Sequence, residues 1–224
     1  MKSWLFPAEC FSCGTPLLPS EKGACLRCLL RLPETYFWHA PRDNEGYRRL
    51  APHIPTLRGV VSGFWYVAGS PLRAWVQAAK YGGRPQLLYA AARYMATLVE
   101  TERRIPLDEI QALLPVPISA ARRRKRGYNQ AEWAAKGLGE IWNIPVLTKS
   151  WIRRGTQGSQ LTRSRTARWT AMEGEFECIR AIPATVGVVD DVLTTGATLT
   201  AALRSLPPET KVWVFTVGIT QRRR

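Results

Sequence analysis

The chain has 224 residues, of which 46% are hydrophobic and 22% charged, a balance close to that of soluble globular proteins and one that excludes wholesale disorder. Its longest stretch without a charged side chain, Gly59–Leu72, runs for fourteen residues and contains Gly and Pro. A bilayer-spanning helix needs about 20 apolar residues, so an integral membrane protein is not expected. The charge is far from average: 32 Lys and Arg against 17 Asp and Glu give +15, and 25 of the bases are Arg. Planar guanidinium donors match phosphate oxygens, which points to nucleic acid or to small polyphosphates as partners.

The chain opens on Met1-Lys2-Ser3-Trp4 and reaches Pro7 and Cys10 before the apolar core of a signal peptide can form, so a cytoplasmic protein is expected. Cys10-Phe-Ser-Cys13 and Cys25-Leu-Arg-Cys28 form two Cys-x-x-Cys pairs eleven residues apart. Each spacing lets a tight turn aim two sulfurs at one ion, and two such turns supply the four thiolates of a closed structural zinc site. A disulfide framework is the alternative; the odd cysteine count and the missing secretion signal speak against it. Residues 1–35 hold too few apolar side chains to fold by burial alone, so metal would supply their folding energy. Cys178 reads as a strand residue.

Trp38–Pro55 is polar and Pro-containing and reads as a linker or irregular connection. Gly59–Val67 is predicted to be a strand, and helices follow near Leu72–Lys80 and Gln86–Glu102. Ala112–Pro117 is a short apolar strand. Asn129–Trp142 is predicted helical, stopped by Pro145, with a strand near Val146–Ile152. Gln160–Met172 reads as a basic helix. Val186–Val189 has the continuous apolar pattern of a strand buried on both faces. Thr198–Leu206 is predicted as a helix and Lys211–Ile219 as a second buried strand. Alternating strands and helices imply a largely parallel sheet with helices on both sides.

Chemistry concentrates in Asp190-Asp191-Val-Leu-Thr194-Thr195-Gly196-Ala197-Thr198. A buried strand delivers two carboxylates to its C-terminal end, where open parallel sheets bind ligands, and a short Thr/Gly loop opens a helix. Loop N–H groups and a helix N-terminus suit a phosphate, while carboxylates accept from vicinal hydroxyls; together they describe a ribose 5-phosphate site. An N-capped helix after a buried strand would read similarly, but leaves adjacent buried acids without a task. Upstream, Arg122-Arg-Arg-Lys-Arg126-Gly-Tyr128-Asn129-Gln130 places five consecutive bases between a strand and a helix. This reads as an anion-binding loop suited to pyrophosphate, or as a solvated or nucleic-acid-binding face, as does Gln160…Arg163-x-Arg165…Arg168.

The run from Val186 to Thr198 resembles the phosphoribosyl pyrophosphate signature of type I phosphoribosyltransferases. Together with Cys10–Cys28, Lys80-Tyr81-Gly82, Pro115-Val-Pro117 through Gln130, and Gln160…Arg168, it makes the chain similar to the ComF family of competence-associated, phosphoribosyltransferase-like proteins. Tyr128 stands where Phe is usual in that family, and Ala171 where Asn is common. The resemblance implies an α/β fold of the type I phosphoribosyltransferase kind, mainly a parallel sheet flanked by helices, with a zinc ribbon at residues 1–40, a linker at 41–58 and the transferase-like domain at 59–224. It implies that Asp190 and Asp191 hold the ribose hydroxyls and that Thr194, Thr195, Gly196, Ala197 and Thr198 cradle the 5-phosphate. Lys80, Arg122 and Arg126 would stabilise the pyrophosphate leaving group, with Mg²⁺ accompanying the donor. The expected ligand is phosphoribosyl pyrophosphate or a ribonucleotide, and the expected setting is DNA uptake or nucleotide metabolism. The competing expectation is a non-catalytic protein that binds single-stranded DNA or scaffolds other competence proteins, supported by the charge and by nine Trp able to stack on bases.

Overall fold

The computed structural model describes residues 8–154 and 174–221. The predicted basic helix at Gln160–Met172, with Arg163, Arg165, Arg168 and Ala171, lies outside them. At the centre is a four-stranded parallel sheet of β1 (Leu57–Trp65), β2 (Ala112–Pro115), β5 (Thr185–Leu193) and β6 (Lys211–Ile219), in the order β1-β6-β5-β2. An isolated parallel bridge, Leu113↔Val146, extends its β2 edge. Where one strand was predicted over Val146–Ile152 stand this bridge and the start of β3 (Trp151–Arg153), which pairs antiparallel with β4 (Phe176–Cys178) in a separate two-stranded sheet. Cys178, half-buried, is the last residue of β4.

The strands are apolar nearly throughout because both faces are covered. On one face lie α3 (Pro71–Tyr81), α4 (Gln86–Glu102) and α6 (Gln130–Trp142), which bury Trp75, Leu87, Met95 and Leu138 with Phe215 of β6. On the other, Leu50, Leu199 and Leu203 pack on Val60, Val188 and Val214, drawing on α2 (Glu45–Leu50) and α7 (Ala197–Arg204). Helix starts follow capping chemistry: Ser70 accepts from the Arg73 N–H with Pro71 behind it, and Asn129 accepts from the Ala131 N–H. Gly137 lets α6 approach α4, since a Cβ there would stand 2.5 Å from the Tyr89 carbonyl.

The polar stretch before β1 is ordered. It holds a 3-10 turn at Phe37–His39, helix α2, and a second 3-10 turn at Ala51–His53, and it buries Trp38, Leu50 and Asn44. The cysteine-bearing segment, with the single-turn α1 (Leu26–Leu29), docks on the α3/α4 face. Cys10, Cys25, Cys28 and Leu32 join the same core as Trp75 and Leu87, and the Trp75 indole N–H donates to the Ser12 hydroxyl at 2.6 Å.

Candidate functional site: a polar cleft at the strand ends

The apolar run of β5 continues past Val189: Asp190 pairs with Thr216 and Val192 with Gly218, so both acids sit within the strand. Successive strand residues face opposite ways, and the two carboxylates accordingly meet different partners. Asp191, 4% exposed, holds the Lys80 ammonium of α3, Nζ to Oδ2 at 2.7 Å. Burial works to lower the Lys80 pKa, but the charge and hydrogen bond of Asp191 outweigh it and leave the lysine raised. Asp190 is half-buried. Burial, then the charge of Asp191, push it up to about 7, against weaker opposing pulls that include Lys80 and Arg153.

The loop turns at Gly196, whose φ of +89° belongs to the left-handed region that glycine tolerates. A Cβ there would also stand 3.1 Å from Leu50 Cδ2. The backbone then enters α7, and the Ala197 N–H points to the Thr195 hydroxyl at 3.4 Å. A cavity of about 190 Å³ opens beside this turn, lined by Asp190, Asp191, Thr194, Gly196 and Thr198 with Lys80 and Arg122 across from them. Thr195 and Ala197 do not line it.

A second, larger cavity of about 610 Å³ adjoins the first, sharing Lys80, Ile118, Arg122 and Gln130 with it. The five-base run that reads as a loop in the sequence is helix α5 (Ala120–Arg126), begun by Ser119, which accepts from the Arg122 N–H, and ended by Gly127 at φ +83°. Its bases divide. Arg123 forms a two-point pair with Glu132 at 2.6 and 3.1 Å; Arg126 donates to Gln130 and lies 5.8 Å from the Tyr81 ring. Among the described residues, Arg122, Arg124 and Lys125 meet no carboxylate, and Arg122 and Lys125 face the larger cavity. The Asn129 amide fixes this segment by donating to the Val116 carbonyl at 2.9 Å, and Tyr128 donates to the Ala79 carbonyl at 2.6 Å.

Two arginines were not singled out by the sequence. Arg153 of β3 lines the smaller cavity, held by Glu175 at 2.8 Å from Nε. Arg49 of α2, 5% exposed, donates to the Leu193, Thr194 and Thr220 carbonyls and pairs with Glu45. It ties the carbonyl side of the Thr/Gly loop to the end of β6. Neither arginine has a sequence signature, since each acts through contacts far along the chain.

In the N-terminal segment, the sulfurs of Cys10, Cys13, Cys25 and Cys28 all lie within 4.8 Å of one another. A tetrahedral ion with metal–sulfur bonds of about 2.3 Å requires sulfur separations of about 3.8 Å, and Cys13 and Cys25 stand 3.7 Å apart. The hydrogen bond with the Thr15 hydroxyl, first among several, draws Cys13 down to about 6, whereas burial raises Cys25 and Cys28. Four thiolates so close repel unless a cation lies among them, and the donor set fits zinc. The four thiols could hold a zinc ion.

These features define an α/β protein with a helix-flanked parallel sheet, a polar cleft at its C-terminal strand ends and a four-thiol knob. No family model matches the chain. It is 26% identical over 233 residues to "Competence protein F" of Haemophilus influenzae, covering 93% of this chain and 96% of that one. It is likewise 26% identical over 204 residues to "Competence protein ComFC" of Bacillus subtilis, covering 88% and 77%. Likeness along nearly the whole chain supports its place in the ComF family. No helix among the described residues is long and apolar enough to cross a membrane.

Proposed function

We propose that the chain binds phosphoribosyl pyrophosphate, or a ribonucleotide, in the cleft at the end of β5, and that it serves in competence, as the names of its relatives suggest. The observation that carries this reading is the convergence on one cavity of two carboxylates, a Thr/Gly turn at a helix start and the cations Lys80 and Arg122. The carboxylates accept from the ribose hydroxyls, the turn receives the 5-phosphate, and the diphosphate extends toward Arg122, Lys125 and Arg126 in the larger cavity. In transfer, a nitrogen of the acceptor bonds to C1 as the C1–O bond to pyrophosphate breaks, and the acceptor's proton leaves to solvent. Cations fixed on the leaving side stabilise the charge that develops there.

Asp190 and Asp191 are the hard oxygen donors that Mg²⁺ prefers. Lys80 already holds one Asp191 oxygen, and the cysteines are the only three-or-more ligand cluster among the described residues, so the ion would be carried chiefly by the diphosphate. When bound, it would neutralise charge on the departing pyrophosphate. Zinc in the cysteine knob would be structural.

Calorimetric titration with Mg²⁺ and phosphoribosyl pyrophosphate tests the cleft. The Asp191→Asn variant is expected to bind at least about tenfold more weakly, the scale of one charged hydrogen-bonding partner lost; unchanged affinity rejects the reading. A second reading, a protein that binds single-stranded DNA, is favoured by the bases of α5 that meet no carboxylate.

A further inference from the structure

Away from the cleft, an open groove of about 440 Å³ lies where the cysteine knob meets α4 and α6. Lys22 comes from the knob, Tyr89 from α4, and Trp133, Lys136 and Glu140 from α6; Val146 closes one end. The floor is aromatic. The Lys22 ammonium sits 4.9 Å above the Tyr89 ring and the Lys136 ammonium 5.4 Å above the Trp133 ring. The acid of the groove is already engaged: Glu140 accepts from the Tyr89 hydroxyl and pairs with Arg93 at 2.8 Å. Among the described residues neither lysine pairs with a carboxylate, so the groove keeps two surplus positive charges beside two ring faces.

That combination matches one chemistry. A flat heterocycle can replace an ammonium on an aromatic face by stacking, and the displaced ammonium can then meet a phosphate, a stronger partner for it than the ring. The volume lies within the range of about 300–1,000 Å³ usual for small-molecule sites. We propose that the groove formed by Lys22, Tyr89, Trp133 and Lys136 is a second site, separate from the strand-end cleft, that binds one nucleobase together with its phosphate. The unit comes from a free nucleotide or from a residue of a single strand, and both present the same base and phosphate.

The test uses probes the cleft is not built to take. Thymidine 3′-monophosphate and a ten-residue oligothymidylate with a free 5′-hydroxyl lack both a terminal 5′-phosphate and the vicinal diol. Calorimetric titration of the whole protein is expected to show binding of one or both. Affinity should fall at least about fivefold in Trp133→Leu, at a half-buried position, and in the double variant Lys22→Gln/Lys136→Gln, whose two positions are exposed and so leave the fold intact. Binding of Mg²⁺ with phosphoribosyl pyrophosphate should stay unchanged in these variants, so failure of the groove and failure of the cleft are read separately. Binding that weakens in the variants upholds the site: of the monophosphate alone, it identifies a free nucleotide, and of the oligonucleotide, a strand. Absence of binding by both probes, or affinities unchanged in the lysine double variant, overturns it.

Discussion

Asp190 and Asp191 are neighbours on one strand, yet Asp191 pairs with Lys80 at 2.7 Å while burial and the charge of Asp191 lift Asp190 to about 7. A carboxyl whose pKa is raised by folding favours the folded state least when it is ionised. The penalty is absent below about pH 4 and grows as pH rises toward 7, remaining in full above it. Its ceiling is about 4 kcal/mol, lowered by water entering the cleft. Asp190→Asn keeps an oxygen for the Asp191 N–H, which Asp190 now accepts at 2.8 Å, and removes the charge. The variant is therefore expected to be about 1–3 kcal/mol more stable than the parent at pH 8 and nearly equal to it at pH 4, as read by urea unfolding at both values. Equal stabilities at pH 8 would show that the carboxyl is not strained. Both acids were legible as candidate residues because their charge interrupts an otherwise apolar run. Their place inside the strand was not, because that same charge hides the continued pairing of Asp190 with Thr216.

Elements with a full period of apolar residues were readable from the sequence: α4 at Gln86–Glu102 and β6 at Lys211–Ile219 have the predicted bounds. Helix α2 was not. It is six residues long, too short for a 3.6-residue period to emerge, and it buries an arginine, which composition assigns to the surface. The two-stranded sheet of β3 and β4 has strands of three residues, and its pairing joins segments with no common pattern. The cysteine spacing was legible because geometry fixes it, but the docking of the knob was not. Since Cys10, Cys25, Cys28 and Leu32 share a core with Trp75 and Leu87, metal removal should not melt the knob alone. A strong chelator is expected to lower a single calorimetric transition of the whole molecule by several degrees or more. A separate early transition, with the main one unmoved, would show instead that the knob folds independently.

At the scale of the whole molecule, the net charge of +15 is what remains even with every acid matched to a base; among the described residues, ion pairs with carboxylates engage Lys80, Arg48, Arg49, Arg93, Arg104, Arg123, Arg153 and Arg154. Arg122, Arg124 and Lys125 of α5 and the two lysines of the groove remain for phosphates. Any affinity for single-stranded DNA should then fall steeply with salt, by about 0.7 in log-log slope for each phosphate contacted, as measured by anisotropy of a labelled oligonucleotide between 50 and 200 mM salt. A flat profile would mean that the surplus charge does not bind backbone.

The sheet order β1-β6-β5-β2 also bears on synthesis. Strand β1 leaves the ribosome well before its partner β6, the last strand among the described residues: Leu57 pairs with Val212 and Trp65 with Ile219. Until β6 has been synthesised, β1 carries an unzipped hydrogen-bonding flank in an apolar nascent chain, the kind of exposed edge that recruits wrong partners. A stalled or prematurely terminated product would lack the keystone of its sheet, and cellular quality control would meet it as an aggregation-prone fragment rather than as a smaller working protein.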